Sequence, residues 1–226
     1  VMLALTGLWN CHCLGAESYA VVPYDDRLRY LPDYLQQLEM ESNGKRVGLD
    51  DAVLDHHTAP ITWGGLGTNA QHAFFQLLHQ GTRLVPVDFI CALSHPAAPR
   101  EHHDMLVANC FAQAEALMRG RSFADHVPDA QGVDLALHRQ SPGNRPSSML
   151  TMRQLDAHTL GALIALYEHK TFVQSVLWNI NAFDQWGVEL GKELATGILD
   201  EIGGAAPSAH HDPSTAALIA RYRELR

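Results

Sequence analysis

The sequence predicts an α/β protein: a three-layer sandwich around a mainly parallel sheet, followed by C-terminal helices. Three observations predict this fold. Segments rich in β-branched residues alternate with long segments of helical spacing, a glycine-rich loop joins one strand to a helix, and the end of the chain carries helices only. The strand-like segments are residues 18–24, 61–63, 83–93 and 147–155. The helical segments are residues 26–40, 70–80, 101–119, 156–180, 183–202 and the stretch from 212 onward.

Local signals support the individual elements. Leu28, Leu31, Leu35 and Leu38 recur at helical spacing, so residues 26–40 are predicted as one amphipathic helix. Asp156 is a good N-cap for the strongly apolar helix that follows it, and Asp212 with the next proline begins the last helix. Residues 121–146 are rich in glycine, proline and polar residues, which predicts a long surface connection.

Composition excludes several classes of function. The 226 residues carry a net charge of −9 without a Lys/Arg stripe, which argues against general nucleic-acid binding. The four cysteines lack any paired CxxC spacing and are interpreted as free thiols in a reducing compartment. The 14 histidines include no HExxH spacing, so we expect no metal site.

The first residues are apolar. Val1 to Leu14 has no basic leader and is interrupted by Asn10 and His12, so it is predicted as a buried helix ended by Gly15. It is neither a good signal peptide nor long enough to span a membrane, and we expect no membrane association. A helix entered without a cap suggests that the chain is the C-terminal part of a longer protein.

The stretch from Ile61 to Thr82 is the first candidate site. A short strand is followed by three glycines, then by the N-cap residues Thr68 and Asn69 and a helix over 70–80. The glycines are Gly64, Gly65 and Gly67. A glycine loop before a helix N-terminus can present backbone N–H groups to an anion, although a tight turn that binds nothing fits the spacing equally well.

The segment from Phe183 to Lys192 is the second candidate site. In a helix, Gln185 and Lys192 would share a face with Val188 and Glu189, while Gly187 and Gly191 would lie on another and permit close contact with a neighbouring backbone. The alternative is an exposed helix with a solvated Glu–Lys pair. The residues on the first face are Gln185, Val188, Glu189 and Lys192.

These two segments resemble the glucose-6-phosphate isomerase family. Trp63-Gly64 and residues 67–82 resemble its active-site segment, and residues 184–192, Asp-Gln-Trp-Gly-Val-Glu-Leu-Gly-Lys, resemble its C-terminal signature. The resemblance implies a sugar-isomerase (SIS) fold in which residues 1–180 form the second SIS subdomain and 181–226 a helical C-terminal region, with the N-terminal SIS subdomain absent. It also implies a cytoplasmic homodimer with a shared active site. The implied reaction interconverts glucose 6-phosphate and fructose 6-phosphate in glycolysis and gluconeogenesis, without a cofactor.

The resemblance also implies roles for particular residues. Lys192 matches the lysine near the ring oxygen of the sugar, and Gln185 matches a glutamine that contacts substrate. His95 best matches the ring-opening histidine, which in the family reaches the neighbouring subunit; His102 and His103 match positions without an assigned catalytic role. Gly64, Gly67 and Thr68 are the remaining expected substrate contacts.

One departure from the family matters for chemistry. Gly65 occupies the position of the family's catalytic glutamate, Leu66 replaces the usual proline, and no acidic residue lies between Asp55 and Asp88. The family's phosphate-binding loop and active-site arginine match no part of this sequence. We therefore expect little activity from these residues alone. Two alternatives remain open: a non-catalytic sugar-phosphate-binding module that regulates a partner, or an enzyme with a different base, such as Glu41 or Glu168.

Overall fold

The computed structural model describes residues 1–122, 136–206 and 211–226. They form two compact units, Val1–Phe183 and Asp184–Arg226. The central part of the expected surface connection, residues 123–135, lies outside the described residues, as do residues 207–210 of the linker before the last helix. None of the described helices is long and apolar enough to cross a membrane.

The first unit is built on a sheet of four parallel strands in the order β2-β1-β3-β4. The strands are β1 Ser18–Pro23, β2 Ile61–Gly64, β3 Val87–Ser94 and β4 Ser147–Gln154. The parallel pairing confirms the predicted α/β fold. The prediction was wrong about the start of β3, because Pro86 has no N–H for the ladder and contributes only its carbonyl, which accepts the Ala20 N–H at 2.9 Å.

Helices cover both faces of this sheet. The helices of this unit are α1 Met2–Leu8, α2 Leu31–Leu35, α3 Gly67–Gln71, α4 Phe75–Gln80, α5 Arg100–Arg119, α6 Ala136–Arg139 and α7 Ala157–Trp178. On one face, a buried core joins the strands to α3, α4 and α5, and its members include Tyr24, Phe75, Leu78, Phe89 and Leu117. On the other face, a second core joins the strands to α2 and α7, and its members include Tyr19, Leu31, Leu35, Leu163 and Tyr167. Helices on both faces give the three predicted layers.

The helix predicted over residues 26–40 is interrupted. Residues 26–40 divide into a 3₁₀ turn at Asp26–Leu28, then α2, then a π-helical segment at Gln36–Glu41. The π-helical segment turns Glu39 inward, where only 2% of its surface is exposed. Apolar spacing predicted a continuous helix because it carries no information about Glu39, a buried charge whose partner Lys170 is 131 residues away.

The prediction of a helix at the N-terminus is correct, but the prediction that this helix is buried is wrong. It comprises α1 and a π-helical segment at Trp9–Cys13, and Gly15 ends it with a φ of 67°. Ala4 is fully buried against α7, where its carbonyl accepts a hydrogen bond from Gln174. Trp9 is 60% exposed, so only one side of this helix belongs to the core.

Helix α7 begins as predicted. Asp156 and Thr159 form a capping box, in which the Asp156 carboxylate accepts from the Thr159 N–H at 2.8 Å and the Thr159 hydroxyl accepts from the Asp156 N–H. The helix then continues without a break to Trp178, where Asn179 takes a left-handed conformation. The helix predicted over residues 156–180 is therefore present as one continuous helix, and it ends two residues earlier than predicted.

A charged network lies inside the second core. Lys170 Nζ lies 2.7 and 2.6 Å from the two carboxylate oxygens of Glu39 and 4.1 Å from the centroid of the Tyr19 ring. Asp88 accepts hydrogen bonds from the hydroxyl groups of Tyr19 and Tyr167, and it is 2% exposed. These side chains connect the π-helical segment, α7, β1 and β3.

The second unit is helical. It contains a 3₁₀ turn at Trp186–Val188, α8 Glu189–Ile202 and α9 Pro213–Leu225. Asp212 caps α9 as predicted, accepting from the N–H groups of its first turn. His211 Nε2 lies 2.8 Å from a buried carboxylate oxygen of Glu201, which fixes the start of α9 on the end of α8.

Candidate active site

The carboxyl ends of β1 and β3 place three polar residues in the region where parallel sheets bind ligands. The chain passes from β1 to β2 on one side and then crosses to β3 on the other, so β1 and β3 flank the switch in strand order. Ligands bind in open α/β sheets at this point, beyond the carboxyl ends of the strands. Tyr24 and Asp25 follow β1 there, and His95 follows β3.

The glycine loop is held against β1. The Gly65 N–H donates to the Val21 carbonyl at 3.2 Å, and a Cβ at Gly64 would overlap that same carbonyl oxygen. A Cβ at Gly67 would overlap the ring of Tyr24, a residue only 1% exposed. Two of the three glycines are therefore required by close packing.

Tyr24 anchors the segment that follows the loop. Its hydroxyl accepts a hydrogen bond from Gln71 Nε2 at 2.8 Å, at the end of α3. Burial raises the pKa of Tyr24 to about 12, so the phenol stays protonated at neutral pH. The ring thus supports the loop through both packing and hydrogen bonding.

The predicted caps of the helix after this loop were wrong. Helix α3 begins at Gly67, and Leu66 is its N-cap because the Leu66 carbonyl accepts the Ala70 N–H at 2.7 Å. Thr68 and Asn69 are exposed residues within α3. The predicted helix over 70–80 is broken into α3 and α4 between Gln71 and Phe75.

Gly65 differs from its neighbouring glycines. Its φ lies outside the left-handed region, and the one described atom within 4 Å of a Cβ there is Phe74 Cε1, at 3.7 Å. This is an ordinary van der Waals distance, so nothing in the backbone or the packing requires glycine at position 65. Neither Glu41 nor Glu168, the two alternative bases, lies within 4 Å of that Cβ position. A carboxylate oxygen of Glu168 lies 3.5 Å from the hydroxyl of Tyr34 instead.

His95 is half-buried directly after β3. Its Nδ1 is buried without a hydrogen-bond partner among the described residues, and its ring lies 6.2 Å from the ring of His103. Burial raises the pKa of nearby Asp25, but hydrogen bonds from Arg27 and electrostatic interactions with Arg27 and His95 bring that pKa below its ordinary value. His102, between the other two histidines in sequence, is exposed on α5.

Gln185 and Lys192 lie in the second unit. Gln185 precedes the 3₁₀ turn with an extended φ of −144°, and Lys192 lies in the first turn of α8. The prediction that Gln185 and Lys192 share one helical face with Val188 and Glu189 was therefore wrong. Among residues 184–206 and 211–226, nothing lies within 4 Å of a Cβ built at Gly187 or Gly191, so these residues do not form the expected contact with a neighbouring backbone.

Among the predicted residues, the structure brings two groups to the same edge of one sheet. Gly64, Gly65, Gly67 and Thr68 lie at the end of β2, and His95 lies at the end of β3. Sequence reasoning did not assign roles to Tyr24, Asp25 or His103. A polar residue directly after a buried strand was the available signal for Asp25. Among residues 1–122, 136–206 and 211–226, no cluster of three His, Cys, Asp or Glu side chains could hold a metal ion.

Replacing Gly67 by alanine is expected to destabilise the first unit by about 1–3 kcal/mol, the usual cost of forcing an extra carbon into a packed core. The reason is the overlap with the Tyr24 ring. Urea unfolding of the variant should show a lower midpoint with an unchanged slope. Gly65→Ala is the matched control, because its Cβ meets only Phe74 at an ordinary distance. Equal losses in the two variants would contradict this assignment.

The fold and site define an α/β protein with polar loops at the carboxyl edge of a parallel sheet. Comparison with known families is more specific: the phosphoglucose isomerase family profile matches residues 1–219. The chain belongs to the phosphoglucose isomerase family.

Individual relatives agree with this assignment. The glucose-6-phosphate isomerase of Chlorobium luteolum is 54% identical over 100% of this chain and 42% of its own length. That of Cupriavidus metallidurans is 56% identical over 99% of this chain and 41% of its own length. The crystal structure of a glucose-6-phosphate isomerase from Chlamydia trachomatis matches 100% of this chain and 41% of that chain, with a TM-score of 0.81 and 38% identity. The chain thus spans about two fifths of the length of the relatives that it matches.

Proposed function

We propose that this chain serves the interconversion of glucose 6-phosphate and fructose 6-phosphate, an aldose–ketose isomerisation of glycolysis and gluconeogenesis in the cytoplasm. The observation that carries the proposal is the placement of His95 and the glycine loop at the same carboxyl edge of one sheet, after β3 and β2, in a chain of the phosphoglucose isomerase family. We propose also that the working form is a homodimer with a shared active site, to which the two described units belong as the second SIS subdomain and a C-terminal helical region.

The reaction assigns a task to each candidate residue. The sugar ring opens when a proton reaches the ring oxygen and another leaves the hydroxyl on C1, and His95 and Lys192 are the groups for these transfers. Gln185 and the loop residues Gly64, Gly67 and Thr68 hold the open chain in place. A base must then move a proton between C2 and C1 through an enediol, and this is the step for which Gly65 supplies no side chain.

We therefore expect the 226 residues alone to turn over fructose 6-phosphate slowly or not at all. Loss of a general base lowers rates by about two to four orders of magnitude, and loss of remote phosphate binding lowers them further. The purified chain should be compared, at equal concentration, with the Chlorobium luteolum enzyme in a coupled isomerase assay. A rate within tenfold of that enzyme would contradict the expectation.

A second candidate function is a sugar-phosphate-binding module that regulates a partner protein. Gly65 favours it, because binding needs no base at that position. Calorimetry with 6-phosphogluconate separates the two candidates when paired with the isomerase assay. Binding without turnover by either the chain or its Gly65→Glu variant favours the module, whereas turnover by either one, even slow, favours the isomerase.

A further inference from the structure

His12 interrupts the apolar start of the chain, and the structure gives it a specific partner. Trp178 Nε1, at the end of α7, donates a hydrogen bond of 2.7 Å to His12 Nε2. The tryptophan is buried, whereas His12 lies at the surface. Because the two residues are 166 positions apart in the chain, this contact attaches the segment Trp9–Cys13 to the body of the first unit.

The direction of this hydrogen bond fixes the protonation state of His12. An indole N–H can only donate, and an imidazole nitrogen accepts only when it carries no proton. His12 is therefore neutral in this contact, with its proton on Nδ1. A proton added to Nε2 removes the acceptor and turns one N–H donor against another.

The surroundings of His12 also oppose a positive charge on its ring. The ring of His56 lies 5.5 Å from that of His12, and His57 follows it in the chain. Burial lowers the pKa of His12, and electrostatic interactions with His56 and His57 lower it further. The acidic residue of this loop, Asp55, lies 3.0 Å from His56 Nδ1 and is thus engaged by His56. Residues 174–178 at the end of α7 are uncharged.

Two other contacts that attach the start of the chain do not change in mild acid. Cys11 Sγ donates to the Thr58 carbonyl at 3.6 Å, and burial raises the pKa of this thiol, so it stays protonated. Gln174 donates to the Ala4 carbonyl at 3.3 Å, and neither group titrates. Of these three contacts, the one made by His12 is therefore the one that acid removes.

We propose that the contact between His12 and Trp178 is a pH-sensitive switch, in which neutral His12 holds the segment Trp9–Cys13 on α7 and proton uptake by His12 releases it. A histidine whose pKa is lower in the folded state contributes stability above its unfolded pKa, about 6.5, and that contribution is lost as the pH falls through the folded pKa. The release is local, because α1 stays attached through Ala4. It does not depend on the isomerase activity proposed above.

The indole N–H of Trp178 reports this contact directly. The 226-residue chain, labelled with ¹⁵N in tryptophan and histidine, is titrated from pH 8 to pH 5 by ¹H–¹⁵N correlation, with Trp178→Phe and His12→Gln used to assign the two signals. We expect the indole signal of Trp178 to shift with the same midpoint as His12. The protection of this N–H from solvent exchange, taken relative to free tryptophan at the same pH, should fall roughly two- to tenfold, the factor that one net hydrogen bond supplies.

Two amide variants separate the loss of the acceptor from general loosening in acid. The amide oxygen of His12→Gln lies near the place of Nε2 and accepts at every pH, so this variant should keep the protection of pH 8 down to pH 5. The shorter amide of His12→Asn does not reach the indole, so its protection should be low throughout. His169→Gln, which replaces an exposed histidine of α7, is the matched control and should behave as the unsubstituted chain.

Release of the segment is measured at its backbone. The Leu14 N–H donates to the Trp9 carbonyl at 3.2 Å and should lose protection with the midpoint of His12, whereas the Trp9 N–H, which donates to carbonyls of α1, should keep it. The proposal is overturned if the indole signal does not follow the titration of His12, if either amide variant retains the pH dependence, if His169→Gln abolishes it, or if the Leu14 N–H stays protected at pH 5.

Discussion

Replacing Lys170 by methionine is expected to lower the free energy of unfolding of the first unit by about 3–5 kcal/mol. Lys170 and Glu39 are 3% and 2% exposed, and the lysine lies within hydrogen-bond distance of both carboxylate oxygens. The substitution leaves a carboxylate in the core without its counter-ion. Chemical denaturation at pH 7, followed by circular dichroism, measures the loss.

The pH dependence of this loss tests its cause. Burial raises the pKa of Glu39 while Lys170 lowers it, so removal of Lys170 raises the pKa further. A carboxyl group whose pKa is higher in the folded state opposes folding above its unfolded pKa, and this opposition disappears as the pH falls below that value. The Lys170→Met variant should therefore lose less stability at pH 5 than at pH 7.

Two further variants control the interpretation. Glu39→Gln combined with Lys170→Met should recover part of the lost stability, because no charge is then buried without a partner. Glu115→Gln removes an ion pair with Arg119 whose side chains are 57% and 73% exposed, and it should change stability by less than about 1 kcal/mol. A loss below about 1 kcal/mol for Lys170→Met, or one independent of pH, would contradict the prediction.

Replacing Gly65 by glutamate is expected to leave the fold intact and to raise the isomerase rate of the chain by about two to four orders of magnitude over its own basal rate. The φ of Gly65 lies outside the left-handed region, and a Cβ there meets only Phe74 Cε1, at 3.7 Å. A side chain therefore fits at the position that we propose for the base. Exchange of solvent deuterium into fructose 6-phosphate measures the proton transfer itself and detects slow turnover.

Gly65→Gln is the matched control for this experiment. Glutamine has nearly the same size and shape as glutamate but does not accept the proton at neutral pH, so it should leave the exchange rate at the basal level. Urea unfolding should place both variants within about 1 kcal/mol of the unsubstituted chain, since neither introduces a core overlap. Equal exchange rates for the two variants, or no increase with glutamate, would contradict the assignment of position 65 as the position of the catalytic base.

Local patterns were sufficient for much of the fold. Alternation of strands and helices predicted the parallel sheet, and Asp156 and Asp212 marked the starts of α7 and α9 because an N-cap acts on the next few residues of the same chain. The helix over 101–119 was correct to within one residue for the same reason. The family resemblance, likewise carried by contiguous motifs, is confirmed by the match over residues 1–219.

Interactions between distant residues decided the rest. The break between α3 and α4 accompanies the packing of Phe74 on Trp63, 4.6 Å between centroids, and the π-helical segment before Ser42 brings Glu39 to Lys170, which lies 131 residues away. No periodicity in either segment encodes those partners. The sequence alone predicted Gly65 as the position where the family's carboxylate is missing. Only the tertiary structure showed that this glycine, unlike Gly67, has room for a side chain, because that room depends on which residues the fold places around the loop.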